Sequence, residues 1–134
     1  MRKTIIPFLI TLTAFNISSC KKAAEDITPP SITISSPAEN EEIMQMTAID
    51  SSTVTAVITD EDLHAYSLLI SKPDGSDTLL YIPESHQEVN SLNISEKFKL
   101  PVVVGTVDYR ITIHAEDHSE NDSTAIRNFK IKHL

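Results

Sequence analysis

A chain of 134 residues with a formal net charge of −8 has room for one domain and lacks the excess of Lys and Arg that binding nucleic acid by phosphate neutralisation requires. Its single cysteine excludes a disulfide within the chain. With no Trp and few aromatic residues, it also has little with which to build the ring platforms that stack sugars.

Residues 1–19 begin with Arg2 and Lys3, continue through an apolar stretch from Ile5 to Ile17 and end on Ser18 and Ser19. A positive start, a short apolar middle and a small-residue exit are the parts of a secretory signal peptide. The apolar stretch contains Pro7 and falls short of the ~20 residues that a spanning helix needs. Ile17-Ser18-Ser19-Cys20 resembles the box of bacterial lipoproteins, with Ile in place of the usual Leu and Ser in place of the usual Gly or Ala before the cysteine. The resemblance implies cleavage before Cys20 and a covalent diacylglycerol on its thiol. The competing reading is a plain secretory signal followed by an incidental cysteine. Loss of residues 1–19 removes two cations and no acid, so the charge moves from −8 to −10. Such a chain has no electrostatic attraction to anionic lipid, and membrane attachment falls to the acyl chains.

Residues 20–30 are polar and aperiodic and close on Pro29-Pro30, the composition of a flexible tether that can reach at most ~35 Å. The folded domain is expected over 31–134. Ser31 to Ser35 alternates Ile with Ser and Thr, residues 37–42 read as a turn, and Ile43 to Met46 as a short return strand. Thr53 to Thr59 sets Val54, Ala56 and Ile58 on one face, and Asp60-Glu61-Asp62 is expected to end it. The next strand, 65–71, has Tyr66, Leu68 and Ile70 as its core set. Lys72-Pro73-Asp74-Gly75-Ser76 is the clearest turn: Pro presets φ, and Asp-Gly supplies the left-handed position. Thr78 to Ile82 returns as a strand stopped by Pro83, a polar segment covers 84–90, and Leu92, Ile94, Phe98 and Leu100 keep period two beyond it.

Residues 107–117 show the strictest alternation. Val107, Tyr109, Ile111, Ile113 and Ala115 face one way, and Asp108, Arg110, Thr112, His114 and Glu116 the other. A final strand at about 123–132 places Phe129 and Ile131 together. About seven short antiparallel strands with no helical stripe make an all-β sandwich. A Tyr heading the 107–117 strand resembles the F strand of immunoglobulin-like domains, and the chain as a whole resembles the uncharacterised outer-membrane lipoproteins of Gram-negative bacteria with an immunoglobulin-like or cadherin-like domain. Two departures stand out: no Trp is present for the core, and no disulfide joins the sheets. Leu68 or Tyr66 is expected at the first position, and Ile58 or Ala56 facing Ile111 at the second.

In that topology, segments 60–64 and 116–122 lie at one end of the sandwich. Asp60, Asp62, Asp117, Asn121 and Asp122 can supply oxygen ligands to Ca²⁺; the alternative is two solvated acidic turns with no ion. His64, His114 and His118 fall at the same end, either as a zinc or copper constellation without a short ligand spacing or as surface histidines with no ion. No nucleophile motif or phosphate-cradling glycine loop is present, so no enzymatic activity and no cofactor beyond the Cys20 lipid and that Ca²⁺ are expected. The resemblance implies a binding or adhesion module anchored in the outer membrane, facing either the periplasm or the exterior, with a protein or glycan partner; a purely structural spacer of the envelope and a calcium-stabilised interaction module are the other readings.

Overall fold

The protein is described by a computed structural model covering residues 26–133. The signal peptide expected over residues 1–19, Cys20 and most of the expected tether lie outside the described residues. Six strands follow in order: β1 (Ser31–Ser36), β2 (Glu41–Gln45), β3 (Ser51–Ser71), β4 (Leu80–Lys99), β5 (Thr106–Asp117) and β6 (Asp122–His133). Among the described residues there is no helix.

Six strands are seen where about seven are expected, because two expected pairs are continuous. Asp60-Glu61-Asp62 does not end a strand. The backbone stays extended through it, and the pairing register shifts between Thr59 and Leu63 and again between Leu63 and Ala65. A bulge of this kind bends a strand without breaking it, so β3 leaves one layer and enters the other. β4 follows it, pairing antiparallel from Ser51↔Lys99 to Ile70↔Leu80. Pro83 does not stop β4 either. It stands on an edge strand, where a missing amide donor removes no ladder bond, and opposite the register shift between Tyr66 and Leu68.

The result is one curled sheet whose halves face each other across a core. β1, the first half of β3 and the second half of β4 make one layer. The rest of β3 and β4 pairs with β5, β6 and β2 in the other. This is the pairing order of an immunoglobulin-like sandwich. One pair departs from the expected antiparallel set: β2 runs parallel to β6, from Glu41↔Phe129 to Gln45↔His133. The chain crosses between layers at Pro37–Asn40 without reversing direction, and Asn40 takes a φ of 61°, a region Asn tolerates. Arg127 closes the seam on that side by donating from Nη2 to the carbonyl of Ile34 at 2.6 Å.

The alternation in β5 survives intact: Tyr109, Ile111, Ile113 and Ala115 are fully buried. Phe129 stacks on Tyr109 with ring centroids 5.9 Å apart and meets Phe98 from the facing layer at 5.8 Å. Each aliphatic side chain so buried contributes about 1.5–3 kcal/mol. In β3 the expected core set holds only in part. Leu68 and Ile70 are buried and Leu68 takes the position open for want of a Trp, but Tyr66 is half-buried and Ala65 points inward instead. The register shift between Tyr66 and Leu68 inverts which parity faces the core.

Candidate functional site

The acidic segments do meet, at the end of the sandwich where residue 26 enters. The amide of His118 donates to the carbonyl of Asp62 at 3.1 Å, joining the bend of β3 to the β5–β6 turn. Asp117 is not the solvated loop residue that its neighbours suggest. It carries the inward parity of β5 one step further and is only 1% exposed. Its Oδ1 accepts from the amides of Ser119 and Asn121, both at 2.8 Å, and its Oδ2 accepts from Asn121 Nδ2 at 2.7 Å. Burial works to raise its pKa, but the Asn121 side chain, the two amides and His118 together outweigh it and hold the carboxyl below its ordinary value. Asn121 Nδ2 also reaches the carbonyl of Asp26 at 3.1 Å, tying the entering chain to the turn.

The remaining acids of the set are placed differently. Asp60 Oδ1 accepts from the amide of Asp62 at 2.8 Å, and Asp122 begins β6 on the surface, opposite Glu116. Asp60, Asp62, Asp117, Asn121 and Asp122 therefore share one end of the molecule, with the Asp117 carboxylate turned into its own loop. Among the described residues, no three His, Cys, Asp or Glu side chains are arranged to hold a metal ion.

The densest chemistry at this end is imidazole. His64 Nδ1 and His118 Nε2 stand 3.2 Å apart, with ring centroids at 4.5 Å. His118 Nδ1 lies 3.0 Å from the carbonyl of Asp62 and 3.2 Å from its Oδ1. A carbonyl only accepts, so Nδ1 of His118 carries the proton and, in the neutral ring, Nε2 presents its lone pair toward His64. His86 completes the group, its ring centroid 4.8 Å from that of His64 and its Nε2 3.8 Å from Glu84. His114 does not join: its Nδ1 is 3.1 Å from Thr124 Oγ1, further along the outer face of β5. Sequence spacing could not have exposed His86, because the pairing of β3 with β4 places it beside Ala65. A hollow of about 170 Å³ opens beside the pair, lined by His64, Glu116, Asp117, His118 and Glu120.

The opposite end is different in kind. The β2–β3 and β4–β5 loops are joined by the Leu100 amide donating to the Asp50 carbonyl at 2.9 Å, and the second loop is joined to β6 by the His133 amide donating to Gly105. From these loops Met46, Ile49, Val102 and Val104 project with exposures of 69, 84, 68 and 97%. All five lysines among the described residues (Lys72, Lys97, Lys99, Lys130 and Lys132) lie in this half of the molecule, at the strand ends that run into these loops and the neighbouring turn.

No family model and no curated protein matches the chain. Similar solved structures include an engineered protein determined at 1.98 Å, with 15% identity over 78% of this chain and a TM-score of 0.44. This chain spans 20% of the length of that protein. Murine CRIg shows 9% identity over 80% of this chain and 99% of its own, with a TM-score of 0.43. The N-terminal domain of PorA shows 9% identity over 78% of this chain and 96% of its own, with a TM-score of 0.39.

Proposed function

We propose that this chain is a non-enzymatic binding module of the cell envelope, moored in the outer membrane by a diacylglycerol on Cys20 and engaging a partner protein through the loops furthest from that anchor. The observation that carries this reading is the opposition of the two ends. The tether enters beside Thr59 and Asn121, at the acidic end, whereas Met46, Ile49, Val102 and Val104 crown the other. Solvent-exposed Ile and Val on adjoining loop tips are costly to keep in water and give a contact surface its apolar centre. A protein fits this surface better than a glycan, since none of the four exposed tips is aromatic and none offers a ring for a sugar to stack on.

The test has two arms. Labelled palmitate should enter the wild-type chain and not a Cys20→Ala variant; incorporation into both would remove the anchor. Capture from envelope extract should yield one saturable protein that Ile49→Glu and Val104→Glu both lose. Capture unaffected by the two substitutions would overturn the contact surface and return the chain to the role of a spacer.

A further inference from the structure

We infer that His64 and His118 form an exchangeable binding site for a divalent late-transition-metal ion such as Zn²⁺, at the end of the sandwich opposite the proposed partner surface. Three observations converge on it. The first is the bite. Two nitrogens bound to one tetrahedral Zn²⁺ at the usual ~2.0–2.1 Å stand about 3.3 Å apart, and His64 Nδ1 and His118 Nε2 are 3.2 Å apart.

The second is the support behind the ligand. A ligating imidazole ordinarily donates its other ring N–H to a carbonyl or carboxylate, which fixes tautomer and ring orientation. His118 does so without metal, with Nδ1 at 3.0 Å from the Asp62 carbonyl and 3.2 Å from its carboxylate. The Nε2 lone pair is thus directed at His64 Nδ1, which donates to it when it carries the His64 proton. A shift of that proton to His64 Nε2 frees Nδ1 as the second nitrogen donor to a metal ion.

The third is charge. Glu116 and Glu120 line the hollow beside the pair, and no Lys or Arg lies in the segments 60–64, 84–90 or 116–122 that surround it. Among the described residues, the charged side chains that these segments bring to a dication placed there are carboxylates. Two protein nitrogens leave the other positions to water or to an incoming donor, so the site is open, and imidazole donors select Zn²⁺, Ni²⁺ or Cu²⁺ over Ca²⁺.

Calorimetric titration of the purified protein with Zn²⁺ alone should give one site per chain. Affinity should fall by about tenfold or more in His64→Ala and in His118→Ala, and remain unchanged in His114→Ala. Histidine ring NMR signals of the wild type keep the test independent of how the variants fold: Zn²⁺ should shift those of His64 and His118 and leave His133 in place. Ca²⁺ at the same concentrations should shift neither. Absence of Zn²⁺ binding, binding that persists in the double variant, or an equal response to Ca²⁺ would each overturn the site. The partner arm described above is read at the other end of the molecule, so either result stands without the other.

Discussion

The hydroxyl of Tyr109 donates a 2.7 Å hydrogen bond to Oδ2 of Asp77, linking the buried head of β5 to the turn that follows β3. Lys72 Nζ reaches the same oxygen at 3.1 Å, and Asp77 holds a φ of 52° to present it. Burial of the ring, then the bond to Asp77 and its charge, push the Tyr109 hydroxyl far above the usual phenol range. The bond from Tyr109, followed by Lys72, holds Asp77 below its usual value.

Tyr109→Phe should keep the ring packed on Phe129 and lose only the hydroxyl. A hydrogen bond to a charged acceptor is worth about 1.5–3 kcal/mol, and Asp77 retains Lys72 and water in the variant. The expected loss is therefore at the low end, about 1.5 kcal/mol, read as a lower urea midpoint with unchanged slope. An unchanged midpoint would show that the bond does not stabilise the fold.

The same pair sets a pH dependence. Asp77 holds its proton less readily in the folded chain than in the unfolded one, so its contribution is complete above the ordinary carboxylate pKa of ~3.9 and is lost as pH falls through the lower folded value. Tyr109 acts in the opposite sense: the unfolded chain ionises first, so stability declines above pH ~10. Asp77→Asn, which tolerates the same φ, should flatten the decline in melting temperature below pH 4 relative to wild type. Parallel profiles for the two proteins would contradict this.

Asp117→Ala should destabilise the acidic end more than any substitution of Asp60 or Asp122. It leaves the amides of Ser119 and Asn121 and the Asn121 side chain without their acceptor, in a turn where Ser119 is exposed and Asn121 half-buried. An expected cost of about 1–2 kcal/mol follows, because water can replace part of these bonds. Thermal unfolding of the three alanine variants, compared at pH 7, provides the ranking.

β4 is an edge strand along its whole length, from Leu80 to Lys99, because β3 is its sole partner among the described residues. Pro83, Glu84 and Glu88 are the residues that discourage a second chain from pairing there. Pro83→Val should leave the melting temperature within a degree or two and shorten the lag before light scattering rises at moderate heat. Equal lag times would mean that the bend of the strand protects the edge by itself.

Alternation and turn chemistry are local properties, and both were legible in the residues alone. Tyr109, Ile111, Ile113 and Ala115 face the core as their spacing requires, and Lys72 to Ser76 turns as read, with Gly75 at a φ of 82° and its amide bonded to the Lys72 carbonyl. Polar character at Asp60-Glu61-Asp62 and at Glu84 to Asn90 was equally visible, yet it does not distinguish a loop from an extended strand with both faces in water. That distinction, the inward turn of Asp117 and the meeting of His86 with His64 all depend on register between strands distant in sequence. A one-residue bulge exchanges the two faces of a strand, and only the pairing of β3 with β4 and β5 determines where that exchange takes place.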